Sequence, residues 1–487
     1  MTQAVIVLLV FFSILLFAVI VALLFLIKAN KQSCLQLGSN ATVIVYATQS
    51  GFSEQYAQKT AEQLHKQGQP CVVISAEHLK DTDLLNMQRV IFMLSTYGEG
   101  DAPDTAQAFK QSLVHSTLDL SHLEFAVLAF GDDRYTDFCA FGQHVSAALT
   151  RLNAKALFDV VSVNQQSDVD LAHWNSQLSQ VLALQLDQPK MIKHWQSLSL
   201  KERTLLNAGS LGTDLYHLKF AVPSDLQWKS GDILELRSAN SNHELAEFFK
   251  AYPELSQAQI KQLRYKNLRT LANVEAQNIV AEIEHAADLP LREYSIASIP
   301  EQGYLDLVVR QEVLETGLGL GSGLLTQKLA MGETIQTVIR SNPAFHLHEG
   351  NAPCIFIGNG SGIAGLLSHL QQRILAKHTN NWLIFGERQQ QCDAIFKDQL
   401  AAWQAEQQLT KLDLAYSRDQ GAYRYVQDVL LAEASELKAW IAQGAYIYVC
   451  GSLKGMAKGV DGALLQVLGQ EQLDRLKAEK RYRRDVY

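Results

Sequence analysis

The stretch Thr42-Val43-Ile44-Val45-Tyr46-Ala47-Thr48-Gln49-Ser50-Gly51-Phe52-Ser53 decides the fold of the first part of the chain. It joins an apolar run, typical of a buried strand, to a loop of small and polar residues and then to an amphipathic stretch. The apolar runs 90–94 and 125–130 likewise end at polar loops. This alternation predicts a parallel α/β sheet. Because ligands bind at the carboxyl ends of the strands in such sheets, the three loops predict one shared site.

The first of these loops, residues 48–53, contains no lysine. Its hydroxyls and backbone N–H groups converge where a phosphate would be cradled. A P-loop would carry Gly-Lys-Ser/Thr at the helix start, so a flavin monophosphate suits this loop better than a nucleoside triphosphate. Taken alone, the same residues could form an ordinary helix N-cap.

The other two loops each contain a tyrosine, Tyr97 and Tyr135. An exposed tyrosine gains little from such a position unless something stacks on its ring. The two rings could sandwich a planar ligand, or each could be a solvated loop residue.

Length, charge and cysteine content limit the number of domains, the class of partner and the compartment that the sequence allows. The 487 residues leave room for about three domains. Lys and Arg total 42 against 50 Asp and Glu, and the net charge of -8 has the wrong sign for a nucleic-acid partner. The six cysteines are scattered singly, which predicts no disulfide framework and no metal site and suits a reducing compartment.

A long apolar run lies near the amino terminus, at residues 4–27, with Ser13 as its only polar member. A helix of this length covers a hydrocarbon core about 30 Å thick. A cleaved signal peptide is the alternative, but the run is too long for an h-region and no small-x-small site follows it. With Lys28 and Lys31 after the run, the positive-inside rule predicts a single-pass inner-membrane protein whose catalytic domains lie in the cytoplasm.

The remaining chain divides where the pattern of apolar runs changes. Strand-like runs with Gly-Asp turns indicate a β-domain after the first α/β segment, and α/β alternation returns later. The predicted segments are the transmembrane anchor 4–27, the first α/β domain 41–184, a linker 185–200, the β-domain 201–348 with a helical insertion 242–285, and a second α/β domain 349–487.

Three short motifs that could take part in ligand binding lie in the second half of the chain. The stretch 292–298 (Arg-Glu-Tyr-Ser-Ile-Ala-Ser) places a charged residue in a strand-like run, where burial would require a partner. The glycine-rich stretch 317–323 precedes a helix and offers backbone donors. The stretch 358–364 (Gly-Asn-Gly-Ser-Gly-Ile-Ala) follows a strand and opens a helix, the context that a dinucleotide loop requires.

In their order along the chain, these motifs resemble those of the NADPH-dependent diflavin reductases, the family of NADPH-cytochrome reductase and the sulfite reductase flavoprotein. The resemblance covers nearly all residues from 41 to 487. It implies an α/β fold class: a flavodoxin-like doubly wound FMN domain, a ferredoxin-reductase-like FAD β-barrel and an α/β NADP-binding domain, preceded here by one transmembrane helix.

For FMN, the resemblance implies that the first loop holds the phosphate and that Tyr97 and Tyr135 flank the isoalloxazine. Phe52 departs from the small residue that is usual at its position. The residues implied to bind FMN are Thr48, Gln49, Ser50, Gly51, Phe52, Ser53, Ser95, Thr96, Tyr97, Gly98, Phe130, Gly131, Asp132, Asp133, Tyr135, Phe138 and Cys139.

For FAD, the resemblance implies that Arg292 contacts the pyrophosphate, that Tyr294 stacks and that Ser295 lies near the flavin N5. The residues implied to bind FAD are Arg292, Glu293, Tyr294, Ser295, Ser298, Gly319, Leu320, Gly321, Ser322 and Tyr487.

For NADPH, the loop 358–365 resembles the family's G-x-G-T-G-I-A-P, with Ser361 for Thr and Gly365 for Pro. The strength of the preference for NADPH over NADH stays open, because Tyr423 and Gly459 replace the family's usual Lys and Asp. The residues implied to bind NADP are Gly360, Ser361, Gly362, Ser417, Arg418, Arg424, Tyr425, Gln427 and Cys450.

The implied activity is hydride transfer from NADPH to FAD, single-electron steps to FMN and donation to a haem or iron–sulfur protein acceptor. Ser295, Cys450 and Asp485 would line the hydride site, and Tyr487 would gate it. The insertion 242–285 is shorter than the connecting domain of the larger relatives. Two alternatives stay open: a self-contained flavin reductase of ferric chelates or quinones, and a degenerate flavodoxin domain that only docks. The sequence predicts neither the acceptor nor the oligomeric state.

Overall fold

The computed structural model describes most of the chain, in the ranges 41–48, 51–96, 100–133, 137–164, 166–189, 193–271 and 274–487. Contacts divide the chain into two compact units, Met1–Met191 and Ile192–Tyr487.

The predicted transmembrane helix at residues 4–27 lies outside the described residues. Within the described ranges, none of the helices has the length and apolar character that crossing a bilayer requires. The expectation of a single-pass protein at the inner membrane is therefore wrong for the part of the chain that the structure describes, and we withdraw it.

Buried parallel strands form the sheet of the first unit. Its strands, among the described residues, are β1 (Thr42–Ala47), β2 (Cys71–Ser75), β3 (Arg89–Ser95), β4 (Glu124–Gly131), β5 (Lys155–Ala156) and β6 (Val161–Asn164). The order is β2-β1-β3-β4, and both β5 and β6 pair with β4. The apolar runs 42–47, 90–94 and 125–130 are thus confirmed as strands, because a parallel strand buried on both faces is apolar throughout.

Helices cover both faces of this sheet. They are α1 (Phe52–Lys66), α2 (Gln107–His115), α3 (Ala140–Arg151) and α4 (Asp168–Leu182). Alternate residues of β1 enter separate cores, Val43 and Val45 on one face and Ile44 on the other. Since β2 and β3 flank β1 on opposite sides, the strand order reverses beside β1, and a crevice opens there at the carboxyl edge.

An antiparallel barrel begins the second unit. Its strands are β7 (Gln196–Leu205), β8 (Leu215–Ala221), β9 (Ile233–Arg237), β10 (Leu291–Ser295), β11 (Tyr304–Arg310) and, after a small hairpin, β14 (Thr334–Arg340). The order is β10-β9-β14-β7-β8-β11. A bridge between Ile296 and Leu307 brings the two ends of this order together around a core of apolar side chains.

The segment between β9 and β10 is helical. Its helices are α5 (Asn242–Ala251), α6 (Gln257–Leu263) and α7 (Ile279–His285). The first two begin with capping boxes, at Ser241 with Glu244 and at Ser256 with Gln259. The helices share a small core that includes Leu263, Ile279 and Ile283.

The hairpin β12 (Val313–Leu314) and β13 (Gly317–Leu318) leads into the short helix α8 (Leu320–Gly323). This connection lies between β11 and β14, so the glycine-rich stretch 317–323 belongs to the barrel.

A second parallel sheet ends the chain. Its strands are β15 (Cys354–Asn359), β16 (Asn381–Glu387), β17 (Lys411–Tyr416), β18 (Tyr446–Gly451) and β19 (Tyr482–Val486). Its helices, as described, are α9 (Ile363–Leu375), α10 (Gln390–Asp393), α11 (Lys397–Ala405), α12 (Val426–Ala432), α13 (Ala434–Ala442), α14 (Lys458–Leu468) and α15 (Gln470–Ala478). The order β17-β16-β15-β18-β19 reverses beside β15, which opens a crevice at its carboxyl edge.

Candidate functional site

The first site lies at the carboxyl ends of β1, β3 and β4. Of the residues expected to bind FMN, Gln49, Ser50, Tyr97, Gly98 and Tyr135 lie outside the described residues. The expected sandwich of a flavin ring between two tyrosines therefore stays a prediction.

The loop after β1 is shaped by its own hydroxyl groups. Gly51 has a φ of 82°, which favours glycine, and its N–H donates to Thr48 Oγ1 at 2.7 Å. The buried Ser53 hydroxyl donates to the Ala47 carbonyl at 2.8 Å and lies 3.0 Å from Ser95 Oγ. No described side chain caps α1, so the N–H groups of its first turn are the donors left for a phosphate.

Two aromatic residues expected to contact FMN pack against each other. The ring centroids of Phe52 and Phe130 lie 5.3 Å apart in an edge-on arrangement, and Tyr56 stacks on Phe52 at 6.0 Å. Phe130 is buried in the core under α1. It supports Phe52 from inside the fold, whereas the resemblance implied that Phe130 itself binds FMN.

The loop after β4 folds back on itself. A Cβ at Gly131 would lie 2.8 Å from the Cys139 backbone nitrogen and 3.1 Å from the Phe138 ring, so a side chain there would clash. The buried Cys139 thiol donates to the Ala129 carbonyl at 3.2 Å, and burial raises its pKa to about 11. The buried Cys139 side chain therefore stabilises the loop through its hydrogen bond to β4.

Backbone bonds tie this loop to its neighbours. The Thr96 N–H donates to the Phe130 carbonyl at 2.8 Å, and Thr96 Oγ1 accepts from the Phe141 N–H at 3.3 Å. The Asp133 N–H donates to Asn164 Oδ1 at 3.2 Å. Asp132 also has a partner within the fold. The described parts of the three loops form one connected rim whose glycines suit the close approach of a flat, phosphorylated ligand such as FMN.

The second site lies in the second unit, where the barrel meets the second parallel sheet. Ser295 ends β10, Cys450 lies on β18 and Asp485 lies on β19. The Ser295 hydroxyl donates to Asp485 Oδ2 at 2.7 Å, and Cys450 Sγ lies 3.8 Å from the same oxygen. Three residues that are far apart in sequence thus form one cluster.

Burial shifts the pKa values of two groups in this cluster, the Asp485 carboxyl and the Cys450 thiol. Loss of solvent raises the pKa of the Asp485 carboxyl above its usual value, and the Ser295 hydrogen bond opposes only part of that shift. Burial raises the pKa of the Cys450 thiol well above its usual value, so the thiol stays protonated. Arg340, which the sequence reasoning missed, forms an ion pair with Glu293 at 2.7 Å, and its charge lowers the pKa of Asp485.

The last residue, Tyr487, is held by its backbone. Its N–H donates to the Gly451 carbonyl at 3.0 Å, and its own carbonyl accepts from the Leu453 N–H at 2.9 Å. Its hydroxyl lies 3.1 Å from Ser361 Oγ, in the glycine loop after β15. The residue as a whole is 53% exposed, whereas burial raises the pKa of its hydroxyl well above the usual value.

The residues expected to bind FAD surround the glycine stretch before α8. A Cβ at Gly321 would lie 2.5 Å from Arg292 Cγ and 2.8 Å from Tyr294 Oη, so these side chains pack directly on the loop. Burial raises the pKa of the Tyr294 hydroxyl. A Cβ at Gly319 would lie 2.6 Å from Ser322 Oγ. The close-packed glycines suit a pyrophosphate bound through backbone N–H groups.

Two residues hold this region in place without facing a ligand. The Ser298 hydroxyl donates to the Tyr304 carbonyl at 3.1 Å and accepts from the Asp306 N–H at 2.9 Å, so it joins β10 to β11. Arg269, from the helical segment, donates to the Leu318 carbonyl at 2.6 Å. The sequence reasoning assigned Ser298 to the ligand and missed Arg269.

The glycine loop after β15 packs tightly on β18. A Cβ at Gly362 would lie 2.1 Å from the Cys450 carbonyl oxygen, and one at Gly365 would lie 3.2 Å from Cys450 Sγ. Gly360 has a φ of 57°, and Asn359 Oδ1 accepts from the Ser452 N–H at 3.0 Å. This geometry explains why glycine stands at positions 360 and 362.

A cleft of about 420 Å³ opens beside this loop. Its wall includes five residues predicted from sequence: Gly360, Ser417, Arg424, Tyr425 and Gln427. It also includes Asn359, Val426 and Ser452, which lie in or beside the predicted motifs. The sequence reasoning missed the other lining residues: Arg310, Gly386, Glu387, Arg388, Gly455 and Met456. The missed signal was the pair Glu387-Arg388 at the carboxyl end of the buried strand β16, the kind of position that located the first site.

Two other positions that bear on NADP binding, Arg418 and Gly459, are arranged differently from what the sequence predicts. Arg418 is exposed, lies outside the lining of the cleft and donates its N–H to the Arg388 carbonyl at 2.8 Å. A Cβ at Gly459 would lie 2.8 Å from Gln427 Cδ, so the Gln427 amide fills the space that a side chain at 459 would need. Three arginines, Arg310, Arg388 and Arg424, nevertheless line the cleft, which suits a phosphorylated nucleotide.

Comparisons with known proteins identify two of the three modules and find relatives that match most of the chain. The Flavodoxin family model matches residues 44–174, and the Oxidoreductase NAD-binding domain model matches residues 356–462. Among curated relatives, the Sulfite reductase (NADPH) flavoprotein alpha-component of Vibrio vulnificus is 28% identical, over 91% of this chain and 87% of the relative. The proteins of the same name from Mannheimia succiniciproducens and Neisseria meningitidis serogroup B are 28% and 27% identical, over 92% of this chain and 90% and 89% of the relatives.

A flavodoxin-like module precedes an FAD barrel and a dinucleotide-binding sheet, and each match spans the module whose geometry fits it. The chain is therefore an NADPH-dependent flavoprotein oxidoreductase that uses FMN, FAD and NADPH, and over most of its length it is similar to the sulfite reductase flavoproteins.

Proposed function

We propose that this protein takes reducing equivalents from NADPH in its second unit and delivers them from its first unit to a separate haem or iron–sulfur protein. The observation that carries the proposal is the Ser295–Asp485–Cys450 cluster, which lies beside a loop built for a dinucleotide. When bound, the flavins supply the redox chemistry, accepting a hydride and releasing electrons singly.

At the hydride site the chain contributes charge and orientation. The Asp485 carboxylate would place a negative charge near the nicotinamide of a bound NADPH, and such a charge stabilises a developing positive charge most when water is excluded. The Ser295 hydroxyl holds that carboxylate in position at 2.7 Å. The protonated Cys450 thiol fills the space beside both without adding a second negative charge. Tyr487 would gate access to this cluster from its place at the Ser361 loop.

Binding would rest mainly on backbone donors and arginines. The first turn of α1 and the loops after β3 and β4 would hold FMN. Arg292, Tyr294 and the stretch 319–322 would hold FAD. The cleft lined by Ser417 and Arg424 would hold the adenosine end of NADPH.

We propose an FMN domain at 41–184, an FAD-binding barrel that ends at 348 and has a helical insertion at 242–285, and an NADP-binding domain at 349–487, a division that the membership of the sheets supports. Because β7 begins at Gln196 and pairs within the barrel, we place the start of the barrel inside the linker 185–200 that the sequence predicts.

The test is the flavin content of the purified full chain, measured by acid release and separation of FMN from FAD. It is followed by NADPH-driven reduction of cytochrome c and of ferricyanide. Equal amounts of FMN and FAD with both activities are expected. FAD alone, with ferricyanide reduction but little cytochrome c reduction, would contradict the two-flavin relay and favour a docking role for the first unit. Rapid reduction of ferric chelates or quinones that no added protein acceptor stimulates would favour the self-contained reductase.

A further inference from the structure

Glu387 is the only acidic residue among the described residues that line the NADPH cleft. It ends β16, the strand that pairs directly with β15, and it lies at the same carboxyl edge as the glycine loop. In dinucleotide-binding sheets, an acidic residue after the glycine loop accepts a hydrogen bond from the adenosine ribose 2′-OH of NAD. A free carboxylate at this edge would therefore select NADH.

A free carboxylate would also act against NADPH. The 2′-phosphate of NADPH is an anion, and like charges within a few ångströms of each other repel strongly in a cleft that excludes water. A cleft that binds NADPH while containing Glu387 needs something to cancel that charge.

Arg310 supplies the cancelling charge. Arg310 Nη2 lies 2.5 Å from Glu387 Oε1, and the exposed fractions of the two side chains are 25% and 4%. Arg310 ends β11, so the cation comes from the barrel and the anion from the second parallel sheet. Arg310 Nη1 donates to the Thr213 carbonyl at 2.9 Å, which fixes the guanidinium.

The pair lies against the nucleotide loop. A Cβ at Gly360 would lie 3.4 Å from Arg310 Nη2 and 3.8 Å from Glu387 Oε1. Burial raises the pKa of Glu387, and the charges of Arg310 and Arg388 oppose that shift while Asp393 adds to it. The carboxylate thus depends on its cationic neighbours to stay ionised.

We propose that Arg310 is a specificity-determining residue that captures the Glu387 carboxylate, so that a cleft otherwise suited to the 2′-OH of NADH accepts the 2′-phosphate of NADPH. This inference rests on the proposed function of the cleft. With Glu387 held, Ser417, Arg388 and Arg424 are left to bind the phosphate.

The experiment compares Arg310→Gln, Glu387→Gln and the double variant in the full chain. The matched control is Lys193→Gln, since Lys193 and Glu235 form an ion pair of the same length, 2.5 Å, with exposed fractions of 26% and 9%, on the barrel. The readout is kcat/KM for NADPH and for NADH, with ferricyanide as acceptor. A second readout is calorimetric binding of 2′,5′-ADP and of 5′-AMP.

For Arg310→Gln, the NADPH to NADH ratio of kcat/KM should fall by about tenfold or more, mainly through KM, because the freed carboxylate repels the phosphate. Binding of 2′,5′-ADP should weaken while binding of 5′-AMP holds. Glu387→Gln should keep the preference for NADPH. The double variant should recover most of the wild-type ratio, and Lys193→Gln should leave the ratio unchanged.

Equal losses with both coenzymes in Arg310→Gln would overturn the inference and leave the pair with a structural role. A double variant as impaired as Arg310→Gln would also overturn it, because Arg310 would then act on the nucleotide directly. A wild-type protein that holds no FAD or oxidises neither coenzyme would instead contradict the proposed function.

Discussion

The two sites of this protein use polar side chains in different ways. In the first unit, several described polar side chains bond to backbone groups of the site, as Thr48 does to Gly51, Ser53 to Ala47 and Thr96 to Phe141. In the second unit, Ser295, Cys450 and Asp485 come from three strands and meet one another. The first site therefore offers a ligand a shaped backbone, whereas the second offers reactive groups. Substitutions should affect occupancy at the first site and rate at the second.

Replacing Asp485 tests the second half of this comparison and should have the largest effect. Asp485→Asn removes the charge that we propose would lie beside the nicotinamide, and NADPH-driven flavin reduction should slow by about 100-fold or more. Flavin content should not change. Stopped-flow bleaching of the flavins after mixing with NADPH measures this rate.

The matched control is Asp461→Asn, since Asp461 forms an ion pair with Arg484, the neighbour of Asp485, at 3.0 Å. Its rate should stay within about threefold of wild type, as expected for a partly exposed pair. An Asp485→Asn variant that reduces its flavins at the wild-type rate would remove the catalytic role.

Gly362→Ala tests whether the second site also depends on backbone fit. The new Cβ would come within 2.1 Å of the Cys450 carbonyl oxygen, so the glycine loop must move. We expect the KM for NADPH to rise by about tenfold, because loops of this kind bind phosphate through fixed backbone donors. Steady-state kinetics measure the change.

Gly462→Ala is the control, because a Cβ at Gly462 has open space around it within α14. It should leave the KM unchanged. An unchanged KM in Gly362→Ala would show that the loop tolerates displacement and does not position NADPH.

Ser53→Ala tests the first half of the comparison. It deprives the Ala47 carbonyl and the Ser95 hydroxyl of a buried partner, at a cost of about 1–3 kcal/mol to the loop. FMN should be lost on dilution while FAD is retained, as measured by flavin release after gel filtration. Ser112→Ala, which removes a hydroxyl bonded to the Phe109 carbonyl on α2 of the same unit, should keep FMN. Retention of FMN by both variants would contradict the role of Ser53 in shaping the loop.

The smallest effect concerns stability against pH in the second unit. Burial lowers the pKa of His369 to about 3 and that of His348 to about 4, both below the value in an unfolded chain. Below about pH 6.5 the unfolded state binds protons that the folded state does not. The free energy of unfolding therefore decreases as the pH is lowered, by up to about 1.4 kcal/mol per pH unit for each histidine.

Urea unfolding of the full chain between about pH 4 and 6.5 measures this slope. His369→Gln should flatten it, whereas replacement of the exposed His243 by Gln should not. Equal slopes in all three proteins would show that His369 takes up a proton when folded.

Much of the fold follows from pattern, because parallel strands buried on both faces are continuous apolar runs. The apolar runs 42–47, 90–94 and 125–130 predicted β1, β3 and β4 in this way, within one residue of their bounds. The strand β19 was not predicted, since its charged residues are tolerated only because it lies at the sheet edge beside β18.

Pattern located the sites but not the direction of each side chain. Ser53, Phe130 and Cys139 were expected at the ligand, yet they bond or pack inward, because a sequence motif marks a loop and not the orientation of its residues. Arg310 and Glu387 were missed because they are 77 positions apart in the sequence and meet only in the folded protein. The convergence of Ser295, Cys450 and Asp485 was expected only through resemblance to a family.

Reductive titration of the full chain tests the central claim, that one protein holds two working flavins, most directly. Under nitrogen, with dithionite as titrant and absorbance as readout, the account predicts an uptake of about four electron equivalents per chain, two for each flavin. NADPH should bleach the same bands. An uptake of about two equivalents would mean that only one unit holds a flavin, and it would contradict the account.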